Sequence, residues 1–310
     1  MRSPEPRGVE GPVPAAEANG LGAGASRRIT AQIAAALLAV YVIWGSTYLA
    51  IRIALDSVPP FCVSALRFLA AGTSLFVVLR LRGSRAPTAR QWRHAGIVGL
   101  LLPAAGTGSV VVAQRSVASG VAAVVIATVP LWAACFQGIL GKWPSRRQAI
   151  GLLVGFAGVA LLCLRGKLSA TPFDAALLLV AASVWAFGSV WSRRLDLPPG
   201  LMAPAVQMIV AGLAVAALAF LSGERAAAPP GAPALLALLY LAFFGSIVAY
   251  SAYTFLLKRA TPAVATSYAY VNPVVAILLG ITFRAETLDP ATAAAIPVIL
   301  LGLVLVLRSP

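Results

Sequence analysis

Long apolar runs recur along the chain, each closed by charge, proline or glycine. In order they cover residues 30–52, 58–79, 94–113, 117–140, 146–164, 174–192, 200–221, 234–257, 261–283 and 291–307. Most approach or exceed the roughly 20 apolar residues with which an α-helix crosses the hydrocarbon core of a bilayer. None has the two-residue alternation of a half-buried strand, and an open sheet edge is excluded from lipid because its amides find no partner there. The pattern predicts an all-α polytopic membrane protein with ten transmembrane helices. Runs three and four are parted only by Gln114, Arg115 and Ser116, which makes them a tight hairpin.

Composition sharpens this picture. Of the 310 residues, 60% are hydrophobic and 11% charged, whereas a soluble domain carries roughly 25% charged residues. The excess of 24 Lys and Arg over 9 Asp and Glu, a net charge of +15, would suggest nucleic acid in a soluble protein. Here the charge is too thin and the oil too thick, so no nucleic-acid partner is expected. Residues 1–29 are rich in Pro, Gly, Ala and charge and lack an apolar centre, so they read as a disordered cytoplasmic tail and not as a signal peptide. Cys62, Cys135 and Cys163 lie inside apolar runs without metal-ligand spacing and are expected to be small buried hydrophobes. No metal or cofactor is expected.

The basic residues also orient the chain, because Lys and Arg resist translocation and collect in short cytoplasmic loops. With the N-terminus inside, fifteen fall on the inner side, in clusters such as Arg80 to Arg93, Lys142 to Arg147, Arg193–Arg194 and Lys258–Arg259, and six on the outer side. An even number of helices returns the C-terminus to the inside. The prediction is a multi-pass protein of the cell (inner) membrane with both termini cytoplasmic. The Arg80 to Arg93 loop could also meet anionic lipid headgroups, although topology explains it sufficiently.

An internal repeat sets the architecture. LLAVYVIWGSTYLAIRIAL (37–55) lies over LLLVAASVWAFGSVWSRRL (178–196) at an offset of 141, matching Trp44 with Trp185 and Arg52 with Arg193. SGVAAVVIATVPLWA (119–133) lies over PAVATSYAYVNPVVA (262–276) at an offset of 143, matching Pro130 with Pro273. Each half, 33–165 and 174–308, then holds five helices, and an odd number makes the second half enter from the opposite side. Two inverted five-helix repeats are the geometry of a secondary transporter, in which rocking exposes one central site to each side in turn. Interrupted helices at matching positions mark that site, which points to helices four and nine with their kink residues Pro130 and Pro273.

These residues resemble the EamA-type ten-helix exporters of the drug/metabolite transporter superfamily. The resemblance rests on WGSTYLAIRIAL in helix one, SALRFLAAG in helix two, VPLW in helix four, GLLVGFAGVALL in helix five, KRATPAVATSYAYVNPVVAILLG across helices eight and nine, and GLVLVL in helix ten. It implies that helices one to four and six to nine surround a central cavity while five and ten support it from outside, and that the solute is an amino acid, a metabolite or a drug. Two positions depart from the family pattern. A Gly-Glu pair commonly follows helices four and nine, but this chain has Gly141 and Lys142 at the first place and keeps Glu286 at the second. Arg52 stands where the family often has Lys, which keeps the charge but widens its hydrogen-bonding fork.

Arg67 is the residue that least suits its setting. It lies about eight residues into helix two, ~12 Å deep, near the middle of a ~30 Å core. A charge there must face the bundle or a watery cavity and find a partner. It is either the counter-ion of a substrate carboxylate or a structural arginine bonded to carbonyls of a kinked neighbour, and the structural role is preferred. Trp44 and Trp185 sit at matched mid-membrane depth, away from the interfaces where Trp usually anchors. They are cavity walls for aromatic or cationic solutes or helix-packing residues. Tyr48, Thr107, Gln114, Trp132, Ser189, Tyr250, Tyr253, Tyr268, Tyr270 and Asn272 complete the cavity candidates, and Asn272 could instead bond backbone groups freed by Pro273. Gly151 and Gly155 form a small-xxx-small packing face, used within a monomer or in a homodimer.

No GxxxxGK[ST] phosphate loop is present, so this chain does not hydrolyse ATP. His94 and every acid lie near helix ends, which favours facilitated or exchange transport over proton antiport. A membrane-embedded enzyme is the weaker alternative, because Ser109 has no buried His or Asp to activate it. A non-catalytic scaffold would not require the doubling. A cavity walled by Trp and Tyr suits amphipathic or aromatic amino acids and small hydrophobic drugs; a phosphorylated sugar would need more buried cations than Arg67.

Overall fold

The computed structural model describes residues 15–117, 119–164, 171–225, 229–284 and 290–308, and all regular structure among them is helical. Helix α1 (Ala15–Leu55) begins inside the stretch expected to be an unstructured tail. The reason is local: Ala-rich residues adjoining an established span extend it without a new nucleation step. Helix α2 (Pro60–Leu81) follows a short turn, with Pro60 in its first turn and the amides of Phe61 and Cys62 donating to Glu224 Oε2 at 2.9 and 3.1 Å. That carboxylate satisfies two of the helix's orphan N-terminal donors.

The third rod, Ala89–Ala113, is continuous but not uniform. It consists of α3 (Ala89–Gly99), a π-helical stretch Leu100–Thr107 and α4 (Gly108–Ala113). In the second half the rod Ala232–Arg259 repeats this plan with α10 (Ala232–Tyr240), a π-helical stretch Leu241–Val248 and α11 (Ala249–Arg259). The two π stretches are separated by 141 positions, the offset that matches Trp44 with Trp185. Such widened turns are rare and concentrate at functional places in helices.

Runs four and nine are each split. α5 (Ser119–Ile126) and α6 (Val129–Ile139) are separated by a turn at residues 127–128, with Pro130 in the first turn of α6. α12 (Pro262–Thr266) and α13 (Tyr268–Arg284) break at Ser267, and Pro273 lies inside α13. The remaining helices are α7 (Arg146–Leu164), α8 (Pro172–Ser192), α9 (Met202–Leu221) and α14 (Pro290–Leu307). Among the described residues, six helical stretches are long and apolar enough to cross a membrane: Thr30–Leu55, Pro60–Leu81, Ala89–Ala113, Pro172–Ser192, Met202–Leu221 and Ala232–Arg259. Large apolar side chains such as Leu153, Leu213, Phe220 and Leu236 are exposed on the outside, as suits a multi-pass protein solvated by lipid tails.

Packing is paired across the halves. α2 lies against α9 and α7 against α14; α1 packs on α11 and α13, and α8 packs on the first π stretch and on α6. Where α2 crosses α9, a Cβ at Gly72 would sit 2.7 Å from the Ile209 amide nitrogen, and one at Gly212 2.7 Å from Leu69 Cγ. Gly151 and Gly155 are used within the chain, meeting Gly302 and its neighbours on α14. Cys62 is half-buried, but Cys135 is exposed among apolar residues, which corrects the expectation that it lies in the core. The Cys163 side chain and Glu286 lie outside the described residues.

Candidate functional site

A central cavity of about 70 Å³ lies between the two halves. α1 contributes Trp44, Thr47 and Tyr48, α2 contributes Arg67, and the first π stretch contributes Pro103, Gly106 and Thr107. The second half supplies Trp185 from α8, Gly245 from the other π stretch, Tyr250 from α11, and Tyr268 and Asn272 from α13. Ile126 and Val129 flank the break between α5 and α6 and also face it. Drug-sized ligand sites run to roughly 300–1,000 Å³, so this cavity is smaller than such a site.

Arg67 is 4% exposed. Its Nε donates to Ser246 Oγ at 3.0 Å, and Ser246 Oγ in turn donates to the Leu241 carbonyl at 2.9 Å. The partner is thus a hydroxyl on a π-helical stretch rather than a set of carbonyls on a kinked helix. One edge of the guanidinium is fixed, and its terminal nitrogens have no acidic partner among the described residues. Gly245 permits this arrangement, since a Cβ there would lie 3.0 Å from Arg67 Nη2. Gly106 does the same for the opposite wall, where a Cβ would lie 2.6 Å from the Trp185 ring.

The aromatic residues form one cluster. Trp44 stands edge-on to Trp185 at 5.5 Å and to Tyr268 at 4.7 Å between ring centroids, with Tyr253 at 5.1 Å. Trp44 Nε1 donates to the Gly245 carbonyl at 3.0 Å, and Trp185 Nε1 to the Tyr253 hydroxyl at 3.0 Å. The two tryptophans therefore line the cavity and pack the helices at once. Each aromatic pair adds about 0.5–1.5 kcal/mol beyond its buried area, so the walls are stiff as well as apolar. Asn272 leaves its buried Oδ1 without a hydrogen-bond partner, an acceptor available to a ligand.

Eight of the thirteen cavity candidates, Trp44, Tyr48, Arg67, Thr107, Trp185, Tyr250, Tyr268 and Asn272, meet at this cavity. Tyr253 and Ser189 stand behind it, 2.6 Å apart through their hydroxyls and tied to Trp185. Gln114 is fully buried, and its Nε2 donates to the Tyr48 carbonyl at 3.3 Å. Trp132 is turned outward and stacks on Phe136. Tyr270 points to α7, donating to the Leu152 carbonyl at 2.9 Å. Sequence reasoning passed over Thr47, Gly245, Ser246 and Gln207; a small polar residue inside an apolar run, as at Ser246, is the signal that could have found one.

The profile of the EamA-like transporter family matches the chain twice, over residues 31–164 and 173–308. The chain belongs to this family. The transporter is 46% identical over 272 residues to an uncharacterized inner membrane transporter, YedA, of Escherichia coli (strain K12), covering 87% of this chain and 89% of that one. It is 24% identical over 279 residues to an uncharacterized transporter, YvbV, of Bacillus subtilis (strain 168), covering 88% and 90%. A WAT1-related chloroplastic protein of Arabidopsis thaliana is 25% identical over 285 residues, covering 87% and 68%. A solved crystal structure, 22% identical, superposes with a TM-score of 0.72 over 90% of this chain and 99% of that one, and so shares the fold.

Two further openings of the transporter lie at opposite ends of α9. One, of about 290 Å³, surrounds Ala203 and Gln207 at the start of α9 and the ends of α8 and α11. The other, of about 540 Å³, is lined by Asp56, Arg115, Glu224 and Arg225, beyond the far end of α9. The matched arginines hold corresponding joints: Arg52 Nη1 donates to the Gln114 carbonyl just past α4, and Arg193 Nη1 to the Ala260 carbonyl just past α11, each at 3.0 Å.

Proposed function

We propose that the chain is a secondary carrier of the inner membrane that exports small amphipathic metabolites, such as amino acids or drugs, by alternating access between two inverted five-helix repeats. The observation that carries this reading is Arg67. A single buried cation, anchored by Ser246 on one edge, presents its other donors to an aromatic-walled cavity where the two matched halves meet. A carboxylate could engage those donors, the aromatic faces could hold an apolar or cationic body, and the Asn272 Oδ1 acceptor could receive an amine. The lining offers no acid, histidine or cysteine, so binding is the chemistry it supports. The paired π stretches and the paired breaks after Ile126 and Thr266 supply deformable joints at equivalent places in each half.

The test is saturable efflux from proteoliposomes loaded with a panel of radiolabelled amino acids. Arg67→Gln is expected to lower the flux of a carboxylate-bearing solute at least tenfold while the protein stays folded, and Arg67→Lys to restore part of it. Flux that is unsaturable, or that is indifferent to Arg67→Gln, would overturn the assignment. Since the cavity lining has no acid or histidine, flux is expected to follow the solute gradient and to respond weakly to an imposed pH gradient.

A further inference from the structure

The cavity of about 290 Å³ at the start of α9 has walls of two kinds. Leu102, Leu195, Leu197 and Leu257 make it apolar, whereas Arg193 and Lys258 make it cationic, and no carboxylate lines it. Asp196, between two of those leucines in the chain, is engaged elsewhere: its carboxylate lies 3.8 Å from Arg90 and its amide donates to His94 Nδ1. Arg193 is exposed at the mouth and held by the Ala260 carbonyl, and partial desolvation pulls its pKa below the usual guanidinium value. Gln207, 1% exposed, accepts the Tyr250 hydroxyl on Oε1 at 2.7 Å, which leaves its amide nitrogen as a polar group in this wall beside the Ser192 and Thr254 hydroxyls.

We propose that this vestibule is a second binding site, for an anionic group carried on an apolar body, with Arg193, Lys258 and the Gln207 amide as its donors. The opening at the other end of α9 makes the contrast: there two arginines are balanced by Asp56 and Glu224, so only one mouth selects by charge. The vestibule also adjoins the central cavity. Tyr250 lines that cavity and Gln207 lines this one, so the hydrogen bond between them is part of the partition. Anion binding stands on these side chains alone; a role in loading the central cavity rests in addition on the carrier reading.

The experiment uses the full chain in phosphatidylcholine nanodiscs and follows 4-fluorobenzoate by fluorine NMR, with uncharged 4-fluorobenzamide as control. Saturable line broadening is expected for the benzoate and at least tenfold weaker binding for the amide. Lys258→Gln, which breaks no hydrogen bond among the described residues, is expected to weaken benzoate binding severalfold. In an Arg67→Gln background, which removes the central carboxylate partner, adding Arg193→Gln should abolish it, and the pair Arg193→Lys with Lys258→Arg should restore it. Repeating the titration in an Arg67→Gln background separates the two sites: benzoate binding persists there even if flux is lost. Phosphatidylglycerol in the nanodisc distinguishes sources, since displacement of the probe assigns the anion to a lipid headgroup and no displacement assigns it to a solute; both results retain the anion site. Equal binding of the two probes, unchanged affinity in the double glutamine variant, or loss of binding with Arg67→Gln would overturn the proposal.

Discussion

Arg67 reaches its position through one hydroxyl, which makes Ser246 a sensitive residue. Ser246→Ala leaves a buried charged donor unpaired, a change that costs about 1–3 kcal/mol. It is expected to lower the thermal midpoint of the detergent-solubilised protein, with Ser246→Thr near wild type; an unchanged midpoint would mean that Ser246 does not orient the guanidinium. Tyr253→Phe removes the acceptor of Trp185 Nε1 and is expected to cost a similar amount. A shared level was legible at this scale, since Arg67, Trp44 and Trp185, placed by counting along their helices, meet at one cavity. Facing was only partly legible. Tyr268 and Tyr270 are two positions apart, about 200° around a helix, so both could not line one cavity, and Tyr270 is the one turned away. Trp132 could not be resolved in this way, because the break at residues 127–128 resets the helical phase of α6.

Among the elements, the doubling was readable from matched Trp, Arg and Pro positions; the break in run four lies beside Pro130, whereas that in run nine falls at Ser267, ahead of Pro273, which stands inside α13. The π stretches were not readable. LLLPAAGT and LAFFGSIV share apolar character but not the proline, and an extra residue in a turn leaves no mark on hydropathy. Tertiary contact fixes those turns, through Trp185 over Gly106 and Arg67 against Gly245. Glycine contacts likewise set how closely α7 approaches α14. Gly302→Leu forces bulk into the Gly155 backbone and is expected to cost at least about 1–3 kcal/mol, seen as earlier unfolding in a denaturant titration. The Gly151 and Gly155 face is occupied by α14, so the same substitution also tests whether that pairing is intramolecular: it should lower stability at every protein concentration.

For the whole molecule, the lopsided distribution of basic residues predicts orientation, and the proposed inversion of the second half rests on an odd number of helices per repeat. In a variant lacking Cys62, Cys135 and Cys163, Ala86→Cys in the basic loop after α2 is expected to react with an impermeant maleimide only in inside-out vesicles. Ser57→Cys in the turn before α2 is expected to react only from the opposite side. Labelling in the reverse sense would turn the carrier, and its charge-selective vestibule, to face the other way. The central claim is that one cavity serves both sides, and Thr107 lines that cavity between the π stretch and α4. Thr107→Cys in the same cysteine-free background, treated with a membrane-impermeant methanethiosulfonate, tests it most directly. Labelling is expected in right-side-out and in inside-out vesicles alike; labelling from one side only would mean that the cavity does not serve both.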